Sequence, residues 1–174
     1  MLYVRDTLPW QALSDIRRNF TNANRMANKI KILIVEDEFI SRTLLKEMLS
    51  PFGECDVVTD GVEAMSALER SYSVAGARYD LVCLDIMMPK LSGHEVLSEM
   101  RRVEKDHGFH GSGLTKVIMV TALDDAKNIM AAMVDGGCAA YLTKPISRTN
   151  LLEQLHHLQL IDDMAQVRAA NKAG

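Results

Sequence analysis

From residue 29 onward, short apolar runs alternate with stretches whose apolar residues recur every three or four positions. The run I-K-I-L-I-V at 30–35 is rich in β-branched residues and too short for a helix, which predicts a buried strand. Within 41–49, Leu44, Leu45, Met48 and Leu49 have helical spacing, and Pro51 and Gly53 stop the helix. The alternation continues with predicted strands at 55–59, 81–84, 117–120 and 138–142. Helices are predicted at 61–70, at 93–105, from Asp124 or Asp125 to the Gly136-Gly137 pair, and from near Thr149. Asp60 and Ser147 stand where helix N-caps belong. Five strand-helix units in succession argue for an α/β domain, a parallel sheet covered by helices on both faces. The wholly apolar strands agree, because a central parallel strand is buried on both sides. No repeat at solenoid periods and no low-complexity tract interrupts the pattern.

The two ends of the chain fit this alternation less well. Residues 1–28 read as an N-terminal extension. It is either helical from Pro9, with Trp10, Leu13, Ile16 and Phe20 on one face, or without order, with Met26 as a compact alternative start. Residues 29–160 form the domain, and 161–174 extend the last helix or form a tail. If that helix is continuous, Leu160, Ile161, Met164 and Val167 fall opposite the core stripe of Leu151, Leu155 and Leu158. The second stripe then needs its own cover, either the N-terminal apolar face or the same extension of a second copy in a homodimer.

Composition narrows the class. A chain of 174 residues that is 48% apolar supports one full core. A net charge of −3 argues against nucleic acid and anionic membrane surfaces as partners. No apolar run approaches the ~18 residues of a membrane span, and no secretory signal is visible. Cys55, Cys83 and Cys138 form no C-x-x-C pair and read as core hydrophobes of a cytoplasmic protein.

Ligands of an open α/β sheet bind outside the carboxyl ends of its strands. Glu36, Asp37 and Glu38 follow the first strand, Asp85 the third, Thr121 the fourth, and Thr143 and Lys144 the fifth. Any one acid here can simply cap the next helix, a reading that stays open for Glu38 and Asp124. Together they are a carboxylate cluster, which calls for a cation, and oxygen ligands suit Mg²⁺. Lys144 adds a point charge.

The elements V-E-D-E, L-D-I-M-M-P, V-T-A and Y-L-T-K-P, in this order, resemble the receiver domain of bacterial two-component response regulators. The resemblance covers roughly three-quarters of the chain and implies a doubly wound, flavodoxin-like sheet of strand order 2-1-3-4-5. It implies that Asp85 accepts a phosphoryl group and that Mg²⁺ (or Mn²⁺) is bound by Asp37 and Asp85, by Glu36 through water, and by the backbone carbonyl of Met87. Thr121 and Lys144 would contact the phosphoryl oxygens, Tyr141 would be the aromatic switch, and the Lys144-Pro145 bond would be cis. The implied function is a switch rather than an enzyme. A sensor histidine kinase supplies the phosphoryl group, and the face of the fourth helix, fifth strand and fifth helix then controls a downstream protein target. The alternative is a relay to a histidine phosphotransfer protein.

Rival chemistries lack their residues. A phosphatase of the haloacid-dehalogenase type needs an acid two positions past the nucleophile, where Met87 stands. A dinucleotide-binding enzyme wants G-x-G-x-x-G after the first strand. A receiver-like interaction module would lack an intact acid site. His94, His107, His110, His156 and His157 show no metal-ligand spacing. The stretches 70–79 and 106–116 are longer than the family's usual pattern. The chain ends soon after the last helix, so a stand-alone receiver is expected. Met87 and Leu123 are expected to flank the path of water to the phosphorus, and Ala126 and Met130 to face outward beside Tyr141.

Overall fold

The computed structural model describes residues 29–122 and 137–161. The expectations for 1–28, for Leu123, for the helix carrying Ala126 and Met130, and for Met164 and Val167 lie outside them. The elements are β1 (Ile30–Val35), α1 (Phe39–Leu49), β2 (Gly53–Val58), α2 (Gly61–Ser73), β3 (Leu81–Asp85), α3 (Gly93–Asp106), a 3₁₀ turn (Gly111–Gly113), β4 (Lys116–Ala122), β5 (Ala140–Lys144) and α4 (Arg148–His157). All five strands are parallel in the order β2-β1-β3-β4-β5, the arrangement the resemblance implied.

Alternate residues of each strand feed two cores. Ile32, Ile34, Cys83, Ile118 and Val120 pack with Leu45 and Leu49 of α1 and Leu151 and Leu155 of α4. Leu33, Val35, Val82, Leu84, Val117 and Met119 pack with Ala64 and Leu68 of α2 and Val96, Leu97 and Met100 of α3. Burial on both faces is why β1, β3 and β4 are apolar at nearly every position. Cys83 is buried, and Cys55 and Cys138 are half-buried.

Caps set the helix starts. Asp60 Oδ1 accepts the amides of Val62 and Glu63, and Ser147 Oγ accepts that of Asn150, both as expected. Ser92 and Glu95 form a reciprocal capping box at α3. α1 begins two residues before the expected start because Glu38 caps it, accepting the amides of Ile40 (2.9 Å) and Ser41 (2.6 Å). β5 lies two residues later than expected, so Lys144 is its last residue rather than a loop residue.

The last helix does not continue past residue 160. It ends at His157, and Gln159 adopts the left-handed backbone (φ 58°), which reverses the chain. Leu160 and Ile161 then return to the same core as Leu151 and Leu155, and Ile161 is only 6% exposed. A separate cover for these two residues is therefore not needed.

The two long stretches meet at the amino ends of the strands. Arg78 lies 3.6 Å from the Phe109 ring centroid and donates to Gly113 O at 2.9 Å. Beneath them Glu104 is fully buried, paired with Arg78 and Arg101, and accepts the Thr115 amide at 2.8 Å. Each charge of this cluster has a partner, as burial requires.

Candidate functional site

β1, β3 and β5 deliver the site at their carboxyl ends. Glu36 follows β1, Asp85 closes β3 and Lys144 closes β5. β1 is the direct neighbour of β3, and β4 lies between β3 and β5, with Asp85 opposite Val120 and Lys144 opposite Ala122. Residues more than a hundred positions apart therefore touch. Lys144 Nζ donates to Glu36 Oε1 and to Asp85 Oδ2, each at 2.8 Å. Asp85 Oδ1 accepts the Met87 amide at 3.1 Å. The Lys144-Pro145 peptide is cis, as expected.

Oxygens of Glu36, Asp37 and Asp85 lie within 4.8 Å of one another, the group among the described residues able to hold a metal ion. Glu36 and Asp85 are buried, and Asp37 is exposed. Glu36 Oε2 is buried with no hydrogen-bond partner among the described residues. An unpartnered carboxylate oxygen beside two further carboxylates fits a hard divalent cation with oxygen ligands. Burial pushes the Glu36 carboxyl up to about 7, against the lowering effect of its Lys144 bond. Burial also works against the Lys144 ammonium, but the hydrogen bonds to Asp85 and Glu36 outweigh it and hold Lys144 above its ordinary value.

Glu38 takes no part in the cluster. Both its oxygens are spent on the start of α1, and its carboxyl is held below the usual range by the amides of Ser41 and Ile40. The open choice between cap and ligand is thus resolved toward the cap. Of the histidines, none joins the metal group. Met87 meets Asp85 through its amide, while its side chain is 69% exposed at the rim.

Thr121 is fully buried near the end of β4, and its hydroxyl makes one long bond, 3.2 Å, to Ala122 O. Tyr141 is half-buried on β5 beside the α2–α3 core, and burial raises its hydroxyl above its ordinary value. Three supporting contacts have no signal in the spacing of residues. Arg42 donates to the carbonyls of Glu36 and Asp37 at 2.9 Å each. Lys90 reaches the α2 cap residue Asp60 at 2.5 Å and so ties down the loop behind Asp85. Gly93 allows α3 to start against β3, since a Cβ there would sit 2.2 Å from Asp85 O.

The response regulator receiver domain model matches residues 32–156, and the chain belongs to that family. It is 33% identical over 127 residues to the two-component response regulator ORR41 of Oryza sativa subsp. japonica, spanning 92% of that protein. It is 35% identical over 130 residues to the transcriptional regulatory protein TcrA of Mycobacterium tuberculosis, of which it spans 46%, about half the length. Among solved structures it is similar to the Francisella response regulator 1452 receiver domain (27% identity, TM-score 0.59, 74% of this chain and 95% of that one). It is also similar to the CheX-CheY-BeF3-Mg²⁺ complex from Borrelia burgdorferi (25% identity, TM-score 0.63, 74% of this chain and 88% of that one). The chain is therefore a receiver domain of two-component signalling. Among its described residues no helix is long and apolar enough to cross a membrane.

Proposed function

We propose that this receiver is a phosphorylation-operated switch in which Asp85 is the phospho-acceptor. The observation that carries this is Lys144 Nζ bridging Asp85 and Glu36 beside a third carboxylate, Asp37. A carboxylate oxygen of Asp85 attacks the phosphorus of a phosphohistidine on a sensor kinase. The P–N bond breaks, and its electron pair leaves with the imidazole nitrogen, giving an aspartyl phosphate. Such a transfer asks for alignment and charge neutralisation rather than a general base. Lys144 is placed to meet a phosphoryl oxygen with little movement, since it already touches Asp85. Asp37, Asp85 and the Met87 carbonyl, with Glu36 through water, would hold Mg²⁺, which when bound would supply the remaining charge neutralisation. The Thr121 hydroxyl gives up a weak local bond for a charged acceptor, and its shift opens room for the half-buried Tyr141. The reading is of a switch that works on its own aspartate, not of an enzyme with a separate substrate, and its output is docking to a protein target.

The rim favours a macromolecular phosphoryl donor. Phe39, Ile40 and Met87 are each about 70% exposed around the acid cluster, and large exposed apolar side chains mark protein contacts. Acetyl phosphate with Mg²⁺ should give one phosphoryl adduct by intact mass. Asp85→Asn should give none, and an adduct of equal yield on that variant would overturn the assignment.

A further inference from the structure

We infer that Arg42 is a positioning residue for the divalent cation, holding the backbone of the two acids that reach the ion from β1. The inference rests on the metal-dependent reading above. One guanidinium nitrogen, Nη1, donates to Glu36 O and to Asp37 O, each at 2.9 Å. Two successive carbonyls drawn to one nitrogen fix the peptide planes of the turn from β1 into α1. The side chain is itself held, half-buried on α1, with its guanidinium carbon 5.6 Å from the Phe39 ring centroid.

The consequence falls mainly on Asp37. Its side chain is exposed, and among the described residues nothing donates a hydrogen bond to its carboxylate. The main chain alone therefore fixes where that side chain starts, and Arg42 holds the main chain there. Glu36 is anchored twice over, because Lys144 holds its Oε1 and the Glu38 amide donates to the same oxygen at 3.3 Å. Supports of this kind, one bond removed from the ligands, typically account for about 10–100-fold in metal affinity.

The sign of the effect separates positioning from charge. A guanidinium near the site repels a cation, so if only its charge mattered, removing Arg42 would tighten Mg²⁺ binding. If it positions the turn, removal weakens binding. Arg42→Met keeps the apolar stem and loses the donors. Titration calorimetry of Mg²⁺ into the unphosphorylated full chain should show a dissociation constant about tenfold higher for Arg42→Met. The Mg²⁺ concentration for half-maximal labelling by acetyl phosphate should rise in step, with the labelling rate recovered at saturating Mg²⁺. Arg42→Lys, which keeps a cationic donor but not the reach and plane of the guanidinium, should fall between the two, and it carries the test if Arg42→Met fails to fold. Unchanged or tighter Mg²⁺ binding by a folded variant overturns the inference. Wild type that binds no Mg²⁺ overturns the metal-dependent reading beneath it instead.

Discussion

Glu36 is the acid whose surroundings differ most from water, and its chemistry follows from that. Its folded value of about 7 lies above the ordinary 4.5, so the folded state holds this proton more tightly than the unfolded chain does. The stabilisation it contributes is fully present below about pH 4.5 and is lost as pH rises through about 7. Mg²⁺ needs the deprotonated form, so the ion and the proton compete. Mg²⁺ affinity should therefore fall by about tenfold between about pH 8 and about pH 6. Calorimetric titration at several pH values checks this. Glu36→Gln, which cannot titrate there, should show weaker binding and a nearly flat profile over that range. Asp37 and Glu38, adjacent to it, show how little residue type alone says at this scale. Three acids in a row have three fates: buried beside Asp85, exposed at the cluster, and spent on a helix terminus.

Elements decide which surfaces meet a partner. The first turn of α1 carries Phe39 and Ile40 out to solvent while Leu45, Met48 and Leu49 dock on the sheet. The same helix thus holds the β1 turn through Arg42 and presents an apolar rim. Ile40→Asp places a charge on that rim without touching the core. Its labelling by acetyl phosphate should match wild type, while phosphotransfer from a histidine kinase should slow by about tenfold or more. Parallel time courses with the two donors check this, and equal slowing with both would move the effect from docking to chemistry. At the other end of the sheet, the two long stretches are tied together by side-chain contacts. Arg78, Phe109 and Glu104 bind the α2–β3 connection to the segment before β4. From sequence these were two loops of unusual length, and nothing in either pointed to the other.

At the scale of the whole molecule, the chain closes on itself after α4. The turn at Gln159 brings Ile161 into the core shared by α1, α4 and the sheet. Ile161→Ala should destabilise the fold by about 2–4 kcal/mol, the cost of truncating a buried aliphatic side chain, with no change in phosphorylation by acetyl phosphate at low temperature. Thermal or urea unfolding checks it, and a loss below about 0.5 kcal/mol would place Ile161 at the surface.

The apolar runs of a parallel sheet, the helix caps at Asp60 and Ser147, and the residues gathered at the strand ends were legible in the chain itself. The physical reason is that these signals are local. A parallel strand buried on both faces must be apolar along its length, and its polar residues collect where it leaves the core. The tertiary structure alone decided how those residues were used. It made Glu38 a cap, drew Arg42 onto two carbonyls, opposed Lys144 to Glu36 across three intervening strand pairings, and turned Leu160 and Ile161 back inward. Helical periodicity extrapolates a helix past its true end, because one residue in a left-handed backbone leaves no trace in the spacing of apolar positions. Which acid meets a helix terminus and which meets a lysine depends on the backbone's direction at a turn, and that direction is set by packing between elements distant in the chain.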